Sequence, residues 1–183
     1  TGTAAQVTIT LVDTQGEVLG LVRTPDAPVF GPDVALQKAR SAMFFSSPGA
    51  AAELSSLPDA NYLSPPATSA IAPYVGNLRA LLNDPTALAN GLAYSNRAIG
   101  NLARPTFPDG VIGAAGGPLS KPLAGWSPFN VGLQLDLSYN AIVAAAGGGL
   151  GVGCTGLPKS RNGLQIFPGS VPVYRGGQLV GGL

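Results

Sequence analysis

The chain has 183 residues, of which 45% are apolar and only 10% charged, against about 25% charged in an ordinary globular chain. A net charge of +1 leaves no electrostatic footprint for nucleic acid. The absence of histidine excludes a Ser-His-Asp triad, a Cys-His pair, an HExxH zinc site and a CxxCH haem attachment, and the single cysteine, Cys154, excludes an intrachain disulfide.

Val7, Ile9 and Leu11 alternate with Thr8, Thr10 and Val12, which predicts a strand. Asp13-Thr14-Gln15-Gly16 supplies turn chemistry, and Val18 to Arg23 returns as a second strand, making an antiparallel hairpin. Thr24 to Pro28 reads as a loop. Gly31-Pro32-Asp33 opens a helix over about 33–45, with Val34, Leu36, Ala39, Met43 and Phe44 on one stripe. Gln37, Lys38 and Arg40 lie opposite.

From 46 to about 130, proline and glycine recur every few residues, as in a functional connection or a small packed unit. Within it, Pro73 to Leu82 reads as a helix, and Asp84-Pro85 as the cap and first position of another ending near Gly91. Gly132 to Leu137 alternates like a strand, and Ser138 to Ala146 reads as a short helix stopped by Gly147-Gly148-Gly149. Leu164 to Phe167, Val171 to Arg175 and Gln178 to Val180 read as strands, the last two joined by a Gly176-Gly177 hairpin turn. Strands, then helices, then strands predict an α+β domain with antiparallel pairing.

No run of about 18 apolar residues is present to span a membrane. The chain starts at Thr1 without methionine and stops at Leu183 inside an apolar run, so both ends read as cuts in a longer polypeptide. So little surface charge suits a domain covered by its own polypeptide or by copies of itself, as well as a Ser/Thr/Asn/Gly-rich monomer surface.

Two blocks resemble the GlcG/HbpS-like haem-binding family. One runs from Val7 through the Asp13–Gly16 turn to the helix carrying Lys38-Ala39. The other, more specific, is Phe167-Pro168-Gly169-Ser170-Val171-Pro172-Val173-Tyr174-Arg175-Gly176-Gly177-Gln178-Leu179-Val180-Gly181. A third, Asn96 to Gly100 through Arg104 to Gly110, resembles members with a long insertion. The resemblance implies a single profilin-like domain, an antiparallel sheet with helices packed on it. Its core would be about 1–45 and 164–183, with an insertion at about 46–130 and a divergent stretch at 131–163. It also implies haem as ligand, homo-oligomers or a larger multidomain protein as context, and a periplasmic or extracellular setting. The chain is thus expected to be a non-catalytic module working in interaction or assembly.

Without histidine, Met43, Cys154 and a tyrosine such as Tyr174 are left to ligate a haem iron, while Arg97 and Arg104 can clamp a carboxylate such as a propionate. Each has a plainer alternative: core packing for Met43, a buried inert thiol for Cys154, a sheet position for Tyr174, an ion pair with Asp109 for Arg97 and Arg104. Gly147 to Gly153 lacks the spacing of a phosphate or dinucleotide loop and reads as a linker. Asp13 and Asp109 read as turn residues rather than calcium ligands, and Trp126 as an anchor for the insertion. A second functional reading is a small-molecule enzyme with a pocket built by the insertion, using Asp136, Arg104 and Tyr139. Their convergence in one cleft would favour it, and their scatter a scaffold. A third reading is a subunit that packs around a cofactor-bearing partner, which predicts a large exposed apolar patch.

Overall fold

The computed structural model describes residues 2–64, 68–122, 132–149 and 153–183; Trp126 and the centre of the Gly147–Gly153 run lie outside them. In chain order the elements are β1 (Thr8–Val12), β2 (Val18–Arg23), α1 (Gly31–Phe45), α2 (Ala50–Ser55), β3 (Ala60–Asn61), β4 (Thr68–Ser69), α3 (Ala72–Leu82), α4 (Asn96–Leu102), α5 (Leu133–Ala146), β5 (Pro172–Arg175) and β6 (Gln178–Gly182). The fold is α+β, with a four-stranded antiparallel sheet ordered β2-β1-β6-β5.

Both hairpins form for the reasons the sequence provides. The Asp13 carboxylate accepts from the backbone N–H of Gln15 at 2.8 Å and of Glu17 at 2.9 Å, closing the first turn. Gly176 and Gly177 have φ of 56° and 79°. Two left-handed residues in sequence are what a tight hairpin of this twist requires.

One face of the sheet carries α1. Val12, Ala39 and Met43 are fully buried there, with Leu36 and Leu179 packed against them. On β1 the inside and outside are the reverse of a simple hydrophobic alternation. Thr10 is buried toward α1, whereas Ile9 and Leu11 are exposed on the other face with Val22 and Val180.

The larger core lies elsewhere. Phe44 and Phe45 at the end of α1 meet Leu54, Tyr74, Leu78, Ile99, Leu119, Leu133, Leu137, Leu157, Leu164 and Ile166. Residues of the stretch expected to be an insertion therefore build most of the apolar interior together with α5, rather than decorating it.

Three local expectations change. Residues 133–137 are helical, not a strand, because Leu133, Asp136 and Leu137 are the buried positions, a helical spacing that continues into the alanine-rich run. Residues 164–167 form no strand. Side chains take the backbone groups a ladder would use: Ser41 Oγ accepts from Gln165 N–H at 2.9 Å, and Asn96 Nδ2 donates to Gln165 C=O at 3.1 Å. Residues 84–91 are turns rather than a helix. The Asp84 carboxylate does cap them, accepting from Thr86 N–H at 2.8 Å and Thr86 Oγ1 at 2.6 Å.

Candidate binding site

The residues singled out in the sequence do not assemble into one pocket. The Met43 side chain is wholly buried between α1 and the sheet. The Tyr174 hydroxyl donates to Gly91 C=O at 2.8 Å, tying β5 to the loop before α4. Arg104 lies 3.5 Å from Asp109 and sits over the Phe167 ring at 5.9 Å, so it forms the ion pair given above as the plainer alternative. Cys154 is free and exposed rather than buried. Among the described residues no group of three or more His, Cys, Asp and Glu could hold a metal ion.

Asp136 is the most elaborate polar feature. Its carboxylate is fully buried and accepts from four donors. Tyr62 OH (2.5 Å) and Lys121 Nζ (2.7 Å) reach one oxygen, and Ser69 Oγ (2.5 Å) and Tyr74 OH (2.7 Å) reach the other. Tyr62 also stacks on Tyr139 at 4.0 Å, so Asp136 and Tyr139 are linked through it, while Arg104 is absent from the cluster. Burial first, then the bond to Asp136, raises the pKa of Tyr62 and Tyr74 above the ordinary phenol value. A carboxylate with all its bonding directions filled by neutral phenols, a hydroxyl and an ammonium is a structural tie between α5, α3, the β3–β4 pair and Lys121.

A groove of about 660 Å³ lies on the α1 side of the sheet, within the size range of ligand sites. One wall is the run Gln6 to Thr10, and the facing wall is Pro168 to Val171 with Leu183. The helical side is Gly31, Val34, Ala35 and Lys38 of α1, with Ser95 and Arg97 at the start of α4. Arg97 is thus the one predicted cofactor-binding residue that lines it. Lys38 Nζ donates to Pro168 C=O at 2.9 Å. Neither Lys38 nor Arg97 has a carboxylate partner among the described residues, and no lining side chain is acidic. The buried Thr8 and Thr10 hydroxyls, also lining the groove, have no hydrogen-bond partner among the described residues.

No family model, curated protein or solved structure matches the chain. No helix among the described residues is long and apolar enough to cross a membrane.

Sequence reasoning missed Lys38, which it placed on a solvated helix face, and the two threonines, which it read as the plain alternate positions of a strand. The signal for Lys38 was present in its separation from any acidic residue within a helical turn. The Asp136 cluster draws on residues 62, 69, 74, 121 and 136, a set with no local spacing to reveal it.

Proposed function

We propose that the chain is a non-catalytic binding module that works in interaction or assembly through the groove beside β1, as part of an exported protein of the GlcG/HbpS-like kind. One observation carries this reading: two cations from two different helices, Lys38 and Arg97, line the groove without carboxylate partners among the described residues. Lys38 is half-buried and Arg97 exposed, and a groove lined by two cations and no acidic side chain suits an apolar partner bearing carboxylates. The saturation of Asp136 by four donors speaks against acid–base chemistry at the other polar cluster. Haem enters the reading as an apolar molecule with two propionates for Lys38 and Arg97. None of Met43, Cys154 and Tyr174 lines the groove, so the reading gives its iron no protein ligand there.

The test is a residue-resolved NMR map of the chain titrated with haemin, metal-free protoporphyrin and short extended peptides. Saturable shifts confined to Thr8, Val34, Lys38 and Arg97 are expected for at least one of them. Shifts centred on Tyr62, Ser69 and Asp136 instead, or turnover of a substrate lost in a folded Asp136→Asn variant, would refute the reading.

A further inference from the structure

We infer that Asn90 is a modification site: its side-chain amide closes onto the Gly91 nitrogen and deamidates, and the charge so formed loosens the 84–91 loop from α2. The fold protects the chain's other Asn-Gly pair, Asn162-Gly163, from the same reaction. The inference stands apart from the groove and its ligand.

The chemistry is self-contained apart from water. Ring closure joins the Gly91 nitrogen to Asn90 Cγ. The bond from Cγ to Nδ2 breaks, the Gly91 N–H proton goes to the departing amide nitrogen, and ammonia leaves. Water then opens the cyclic imide at either carbonyl, giving aspartate or isoaspartate. The reaction needs an accessible asparagine, a following residue with no side chain to crowd the ring, and a following N–H free to give up its proton.

Asn90 meets each need. It is exposed. Gly91 has a φ of 71° and nothing within 4 Å of where a Cβ would stand. Its N–H has no hydrogen-bond partner among the described residues. Leu92 N–H donates to Asn90 Oδ1 at 3.1 Å, the two-residue turn that asparagine favours. The Tyr174 hydroxyl donates to Gly91 C=O at 2.8 Å. The peptide between Gly91 and Leu92 is thus held at both ends, with the Asn90 side-chain carbonyl drawn against it, and holding reacting groups together lowers the cost of closure.

Asn162 meets none of the three. It is half-buried, and Gly163 behind it is buried. Gly163 N–H donates to Ser160 C=O at 3.1 Å. Arg40 Nη1 donates to Asn162 Oδ1 at 2.9 Å, and a Cβ on Gly163 would run into Gln37 Nε2. Closure there requires a local opening that breaks these bonds.

The consequence follows from what Asn90 holds. Its Nδ2 donates to Asp84 Oδ2 at 2.8 Å and to Thr86 Oγ1 at 3.3 Å. Hydrogen bonds from the Thr86 hydroxyl and N–H lower the Asp84 pKa, so this carboxylate is charged. Deamidation removes the donor and sets a second carboxylate against the first, and like charges in contact repel. The loop closed by these bonds carries the buried Ala87 and Leu88. Leu88 C=O accepts from Ala51 N–H of α2 at 2.9 Å, so the repulsion acts on the contact between loop and helix.

The experiment incubates the whole chain at mildly alkaline pH, folded and in urea. Peptide mass mapping and isoaspartate-specific methylation locate the converted residues. In the folded chain Asn90 should convert at least about tenfold faster than Asn162, and in urea the two should agree within about threefold. An Asn90→Asp variant should exchange its Ala51 amide at least about tenfold faster than the unaltered chain, with the Gly163 amide unchanged. Equal rates at the two sites in the folded chain, a tenfold difference that persists in urea, or unchanged Ala51 exchange in Asn90→Asp overturns the inference.

Discussion

Replacing Asp136 by asparagine tests whether the buried cluster is a structural tie. The substitution keeps the shape but converts one carboxylate oxygen into an NH2 group, which then faces two donors: Tyr62 and Lys121, or Ser69 and Tyr74. Lys121 also loses its counter-charge. Breaking a buried ion pair costs about 3–5 kcal/mol, and Lys121, with its side chain 23% exposed, can turn toward water. The low end, about 3 kcal/mol, is therefore the expected loss. For a chain of this size that is a fall in Tm of roughly 6–12 °C. Removing one donor of four with Tyr74→Phe should cost less, about 1.5 kcal/mol. Urea unfolding followed by circular dichroism measures both. An Asp136→Asn variant within about 2 °C of the unaltered chain would refute the reasoning, since the carboxylate would then be contributing little to the fold.

Three further outcomes follow from the structure. Because burial and Asp136 raise the Tyr74 pKa, the folded chain holds a proton that the unfolded chain releases. This contribution is intact below pH about 10 and falls above it by about 1.4 kcal/mol per pH unit; Tyr74→Phe should show a shallower loss in urea midpoints between pH 9 and 11, and equal slopes contradict this. Gly100→Ala places a methyl group against the Ile166 carbonyl, so it should destabilise by about 1–3 kcal/mol despite alanine's better helix propensity, and an unchanged midpoint contradicts the close approach. Thr10→Val removes a buried hydroxyl that has no partner, so it should raise stability by about 1 kcal/mol; a lower urea midpoint would show that the hydroxyl is bonded.

The parts of the fold legible in the sequence are those set by local chemistry. The Asp13 to Gly16 turn, the Gly176-Gly177 turn and the Pro32-Asp33 helix start each act within a few residues, and each forms as read. The 133–137 segment was not legible because a run of alternating leucines fits both periods when it is short. The burial of Asp136 beside Leu133 and Leu137 is a tertiary fact. The weight of the 46–130 stretch in the core was hidden for a similar reason. Its prolines and glycines signal turns, while Leu54, Leu78, Ile99 and Leu119 gain their neighbours only when distant segments meet. Of the groove, the sequence offers Arg97 as a carboxylate clamp flanking the insertion. The rest of the groove was not legible, because Thr8, Lys38 and Pro168 come together only through tertiary contact.

The central claim is that this chain binds through the groove and not through the Asp136 cluster. The most direct measurement is the NMR binding map made in parallel on the unaltered chain and on a Lys38→Glu, Arg97→Glu variant that keeps its circular dichroism spectrum, with short extended peptides and metal-free protoporphyrin as probes. The account predicts saturable shifts at Thr8, Thr10 and Val34 in the first and their loss in the second, with the signals of Tyr62, Ser69 and Asp136 unmoved in both. Shifts that persist in the variant, or that gather around Asp136, would contradict it.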